Sequence, residues 1–158
     1  MPKTSSLADI AHPSSQMGNN PSVRASAVHP TLADGQVPTS SAIEVFKVFT
    51  FEAAHFLPNV AAGHQCGFLH GHSYKVVVGV KGIPNSHTGF VVDFAEIKCA
   101  IKPVLDELDH SALNHFIENP TCENVACWIW QRLRIPGLSY IEVWETATSG
   151  CRKNAVSA

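Results

Sequence analysis

His70-Gly71-His72-Ser73-Tyr74-Lys75-Val76-Val77-Val78-Gly79-Val80-Lys81 is the stretch from which the fold is read. Its body, His72 to Lys81, is rich in β-branched residues and is closed by turn material at Gly82-Ile83-Pro84-Asn85, so it reads as a strand. His70 and His72 stand two apart at the strand entrance. In an extended chain both imidazoles therefore leave the same face, while Gly71 keeps the opposite face free. Upstream, Ile43, Val45, Phe49 and Phe51 recur at period two, as in a strand with one buried face. Phe46 and Val48 make the other face apolar too, so something else is expected to cover it, such as another subunit. His55 shares the parity of Phe49 and Phe51. It reaches the space of His70 and His72 if the two strands are antiparallel neighbours.

Downstream the periodicity changes to that of helices. Asp93 is suited to cap a helix whose apolar stripe is Ile97, Ile101 and Leu105, with Phe94 and Leu108 nearby. Pro103 lies inside that run and is expected to kink or divide it near residue 102. A second helix is expected after Pro120, capped by Thr121, with Val125, Ala126, Ile129, Trp130 and Leu133 on one side and Gly137 closing it. A last strand is expected over Tyr140 to Thr146, with further pairing around Gly150-Cys151-Arg152. The order β-β-α-α-β-β gives an α+β fold in which two helices cover one face of an antiparallel sheet. Val77, Phe46 and Trp144 suggest that the second face is not fully wet, and oligomerisation would bury it.

The 158 residues suffice for one domain with a core. Residues 1–41 contain five prolines, eight serines and no aromatic residue, too few large groups to offset the entropy of ordering, so they read as a flexible tail. A short recognition arm is the alternative. The folded domain is expected over 42–154. The formal charge of −2 advertises no basic field for nucleic acid. No apolar run approaches the roughly 18 residues of a membrane span, and no signal-peptide stretch follows Met1. Five cysteines without a CxxC pair suit a reducing compartment, so the cytoplasm is expected.

Three imidazoles at two mating strand ends, His55, His70 and His72, suit zinc with one coordination position open to water or substrate. Ordinary histidines at strand ends, each donating to a carbonyl, are the plainer alternative. Cys66 lies four residues before His70. A cation nearby would lower its thiol pKa from about 8.5 and make it a base or nucleophile, and a fourth ligand is the other possibility. Cys99, Cys122 and Cys127 fall within the expected helices and read as packing residues, and Cys151 sits in the tail of the fold. Asp109 and His110 follow the first helix, either as a relay that moves a proton or as a helix-ending pair bonded to backbone. Glu145 shares parity with Ile141 and Val143. A carboxylate on that apolar face needs donors, either a Lys or Arg or the N–H/NH2 edge of a heterocycle.

Several blocks in the same order resemble the 6-pyruvoyl-tetrahydropterin synthase family. They are Phe51 to His55, Gly63 to His72, His87 to Phe94, Leu108-Asp109-His110, Asn119 to Asn124 and Glu145 to Gly150. The closest resemblance is to its 6-carboxy-tetrahydropterin synthase branch, of queuosine biosynthesis. The resemblance implies a tunnelling fold whose trimers stack into a hexamer with sites at subunit borders. It implies zinc on His55, His70 and His72, catalysis by Cys66 with Asp109 and His110, and a pterin ring anchored by Glu145. The implied substrate is 7,8-dihydroneopterin triphosphate, cut to a 6-carboxy-tetrahydropterin with release of acetaldehyde and triphosphate. The pyruvoyl branch, which eliminates triphosphate alone, and a lyase on a non-phosphorylated pterin are the alternatives. Phe68 departs from the pattern, since many relatives carry arginine there.

Overall fold

The computed structural model describes residues 41–156, so the expected tail over 1–41 lies, apart from Ser41, outside the described residues. Strand β1 spans Ile43–His55 and pairs antiparallel along its whole length with β2, His70–Gly82. Their register sets His55 opposite His70 and Ala53 opposite His72. The side-chain period of two then turns all three histidines to one face. Helix α1, Phe94–Leu108, leads into a two-residue strand β3, Ser111–Ala112. Helix α2, Cys122–Arg132, precedes β4, Leu138–Trp144, and β5, Gly150–Asn154. The sheet order is β3-β1-β2-β4-β5, antiparallel throughout except that β3 runs parallel to the end of β1. The expected α+β class is found, with this short parallel edge added.

Both helices lie on the sheet face presented by Phe51, Tyr74, Val76, Val78, Ile141 and Val143, and these residues join Ile97, Ile101, Leu108, Val125 and Ile129 in one core. Burying each such large side chain stabilises the fold by about 1.5 to 3 kcal/mol. Phe51 and Tyr74 stack at 4.8 Å, which stiffens the strand pair just before its histidines. On the opposite face Phe46 and Val48 are 57% and 48% exposed. Gly79 is required there because a methyl group at its Cα would meet the Tyr140 ring at 2.1 Å.

Both expected caps are present: Asp93 accepts from the Ala95 amide at 2.7 Å and Thr121 from the Asn124 amide at 3.3 Å. Pro103 does not divide α1, which runs unbroken through it. The carbonyl that Pro103 leaves without an intrahelical donor is that of Cys99, an exposed residue where water can serve instead. Gly137 does not close α2, which ends at Arg132 with Leu133 as its cap. Gly137 instead turns the chain into β4 at φ +74°, and its carbonyl accepts from the Lys81 amide at 2.8 Å. Strand β4 runs from Leu138 to Trp144, beginning two residues before the expected Tyr140 and stopping two short of the expected Thr146.

Candidate metal centre and active site

The ligand-capable nitrogens of His55, His70 and His72 all lie within 4.8 Å of one another. The ring centroids are 4.5 Å apart for His55 and His70, 5.1 Å for His55 and His72, and 4.9 Å for His70 and His72. Such crowding of three polar rings needs a common partner. His55 is 1% exposed, its Nδ1 donates to the Pro120 carbonyl at 2.8 Å, and its Nε2 is buried without any partner. An orphaned buried acceptor is costly, and a cation removes that cost. His70 Nδ1 likewise donates to the Phe68 carbonyl at 2.8 Å, leaving its Nε2 free. These bonds select the tautomer whose other nitrogen carries a lone pair. Burial holds the pKa of His55 and His72 below the usual imidazole range, and repulsion from neighbouring histidines adds to it. The neutral, ligating form is thereby favoured, and the residues fit a metal ion.

The groups that orient the ligands were not legible as site residues in the sequence. Pro120 is buried at the start of α2, and its carbonyl is held by the Asn119–Asn124 cap: the Asn124 side chain donates to the Asn119 carbonyl at 2.8 Å. Tyr74 Oη lies 3.3 Å from His55 Nδ1, and burial pushes its own pKa up. Asn114 clamps both backbone groups of Phe56, accepting from its amide at 3.0 Å and donating to its carbonyl at 2.9 Å, so the chain is fixed directly after His55. Backbone acceptors carry no residue signature, and Asn114 gives only the ordinary signal of an asparagine in a turn.

Cys66 sits half-buried in a short 3-10 turn, Gln65–Gly67, and is not in the mutually close ligand set. Asp109 and His110 do touch: Asp109 Oδ2 is 3.0 Å from His110 Nδ1, while Asp109 Oδ1 accepts from the Glu52 amide at 2.9 Å. These bonds hold the Asp109 carboxyl below its ordinary range, the Glu52 amide being the larger cause. His110 adopts φ +54°, alone among the described non-glycine residues, pinned by its amide bond to the Glu52 carbonyl at 2.6 Å. The pair ends the helix on backbone, as the plainer reading has it, and the Asp109 carboxylate also contacts the His110 imidazole. His110 and His72 line one open pocket of about 510 Å³ with Glu52 and Ser73.

Glu145 lies just past β4 in a different pocket, with Thr121, Cys122, Glu123 and Cys151. Burial raises its pKa, and the fields of His55 and His70 oppose that rise. No lysine or arginine pairs with it among the described residues. Cys122 and Cys151, whose sulfurs are 3.2 Å apart, are both among the residues that line the Glu145 pocket; Cys99 is exposed rather than packed. Phe68 is 69% exposed.

The profile of the 6-pyruvoyl tetrahydropterin synthase family matches residues 44–155. A 6-carboxy-5,6,7,8-tetrahydropterin synthase of Synechocystis sp. is 41% identical over 118 residues, covering 68% of this chain and 90% of that protein. A dihydroneopterin monophosphate aldolase of Pyrococcus furiosus is 42% identical over 101 residues, covering 61% and 83%. Among solved structures, the 6-pyruvoyl tetrahydropterin synthase of Caenorhabditis elegans superposes with a TM-score of 0.66 at 25% identity, covering 73% of this chain and 97% of the other. With a histidine cluster able to chelate a metal ion, these likenesses support a metal-dependent lyase reaction on a pterin, and the chain belongs to the 6-pyruvoyl tetrahydropterin synthase family.

Proposed function

We propose that the chain is a zinc-dependent 6-carboxy-tetrahydropterin synthase, converting 7,8-dihydroneopterin triphosphate to 6-carboxy-5,6,7,8-tetrahydropterin with release of acetaldehyde and triphosphate. The observation that carries the metal-dependent part is the buried, partnerless His55 Nε2 facing two further imidazoles. The branch is supported by the Synechocystis relative, by the short Cys66 to His70 loop with Gly63-His64-Gln65 ahead of it, and by Glu145 to Gly150. His55, His70 and His72 would hold the zinc ion, which supplies Lewis acidity to the hydroxyls of the substrate side chain and so weakens the adjacent C–H bond. Cys66 would take the proton from carbon as thiolate. His110 would carry a proton on the other side, its Nδ1 held by Asp109 so that Nε2 faces the substrate. Glu145 would accept two hydrogen bonds from the N–H/NH2 edge of the pterin, a charge-assisted pairing that offsets the cost of its burial.

The apolar outer face around Phe46 and Val48 supports assembly of copies, as expected of a hexamer of two stacked trimers. A triphosphate needs positive charge, yet among the described residues no lysine or arginine lines the pockets that contain His72, Glu145 and Phe68. In the assembled enzyme a neighbouring subunit would supply it. That same observation, with the Pyrococcus relative named for a monophosphate substrate, favours as second reading a lyase on a pterin carrying fewer phosphates or none. Residues 1–41 would be an appendage outside the catalytic domain of 42–154, and the enzyme would work in the cytoplasm, without nucleic acid or membrane partners.

The test is incubation with dihydroneopterin triphosphate and separate assay of acetaldehyde, triphosphate and pterin products. Acetaldehyde with carboxy-pterin is expected. Triphosphate with a pyruvoyl-pterin would assign the other branch. No turnover, with cleavage of the monophosphate or the unphosphorylated pterin, would assign the second reading.

A further inference from the structure

Cys66 is held at both of its peptide groups. Its carbonyl accepts from the Leu57 amide at 2.7 Å, which ties the turn to the chain just after β1. Its amide donates to the Nδ1 of His64 at 3.1 Å. His64 is itself anchored, its amide donating to the Ala61 carbonyl and its carbonyl accepting from the Gly67 amide, each at 3.0 Å. An imidazole nitrogen that accepts must lack a proton, so His64 is the Nε2–H tautomer. Neither bond involves the Cys66 side chain. Both set the direction of the Cα–Cβ bond from which the sulfur is presented, four residues ahead of His70.

We propose that His64 is the positioning residue of Cys66, its imidazole fixing the backbone that carries the thiol by accepting the Cys66 amide hydrogen. The inference rests on the reading of Cys66 as the proton-transferring thiol. A side chain in this role does not touch the substrate. It acts through the roughly 1 Å precision that proton transfer from carbon demands, where misplacement can cost up to about a hundredfold in rate. Asparagine can replace it, since a short amide oxygen accepts from the same position in a turn, whereas alanine cannot.

The test compares His64→Ala, His64→Asn and Cys66→Ala in the full, zinc-loaded chain by three readouts. These are kcat and KM for dihydroneopterin triphosphate, zinc content, and hydrogen exchange of the Cys66 amide. His64→Ala is expected to lower kcat by about tenfold with KM and zinc unchanged, and to speed exchange at Cys66 by about tenfold. His64→Asn is expected to restore both. Unchanged exchange at Cys66 in His64→Ala would overturn the proposal, and this readout needs no turnover. So would an unchanged kcat beside an inactive Cys66→Ala, or an asparagine variant as impaired as alanine. Full turnover by Cys66→Ala would instead overturn the reading of Cys66 itself, and this inference with it.

Discussion

Thr121→Ala should weaken the metal centre from outside it. The Thr121 hydroxyl accepts from the Asn124 amide at 3.3 Å, and its loss from the N-cap of α2 costs about 1 kcal/mol. The same cap carries Pro120, whose carbonyl takes the His55 Nδ1 hydrogen at 2.8 Å and so keeps Nε2 free for metal. Loss of such outer partners lowers metal affinity by about 10 to 100-fold; here the carbonyl is loosened rather than removed, so about tenfold is expected. At a fixed excess of free zinc, a tenfold rise in Kd removes a further 1.4 kcal/mol or so from the loaded protein. The predicted loss is therefore about 1 kcal/mol for chelator-stripped protein and about 2.5 kcal/mol for zinc-saturated protein. Urea unfolding of both forms, with a competitive zinc titration, measures it, and Thr121→Ser should restore both values. Equal losses in the two forms with an unchanged zinc Kd would refute the link from cap to ligand.

Cys66→Ala should keep its zinc and lose turnover, as metal analysis beside a product assay will show; loss of zinc would make Cys66 a ligand. Glu145→Gln should raise KM for the pterin substrate by about tenfold or more, because a carboxylate accepting two donors is replaced by a group that accepts at only one end. Burial raises the Glu145 pKa, so its ionisation opposes folding: that cost is absent below the unfolded-state pKa and grows as pH climbs through the raised folded value. Glu145→Gln should therefore remove a decline in stability on the alkaline side of the carboxylate range, seen in melting temperatures from pH 4 upward. Asp109 has the opposite sign. Its depressed pKa gives stability that is present above the unfolded value of 3.8 and lost as pH falls through the folded one, so Asp109→Asn should flatten the acid limb of the same melting series.

The strands and the histidine triad were legible because a period of two assigns each side chain to a face, even where Phe46 and Val48 make the second face of β1 apolar. His55 has the parity of Phe51, and His70 and His72 open a β-branched run, so antiparallel pairing alone brings them together. The caps at Asp93 and Thr121 were legible because a hydroxyl or carboxylate ahead of an apolar stripe has a local cause. Pro103 leaves α1 undivided because the core contacts of Val104, Leu105 and Leu108, which carry the apolar stripe on, hold the helix together past it. Gly137 misled because its positive φ serves the turn into β4, a non-local fit against Lys81. Strand β3 gave no pattern, being two residues long and paired parallel with a strand far upstream. The Pro120 carbonyl on His55 and the Glu52 backbone on Asp109 and His110 depend on tertiary geometry that residue types do not encode.

The central claim is that His55, His70 and His72 hold a zinc ion through their nitrogens alone. Metal analysis and X-ray absorption of the purified chain test it most directly, in the native sequence and in His70→Ala. The account predicts about one zinc per chain, bound by nitrogen at about 2.0 Å with no sulfur, and its loss in the variant. Zinc retained at full content by His70→Ala, or a zinc–sulfur distance of about 2.3 Å, would contradict it.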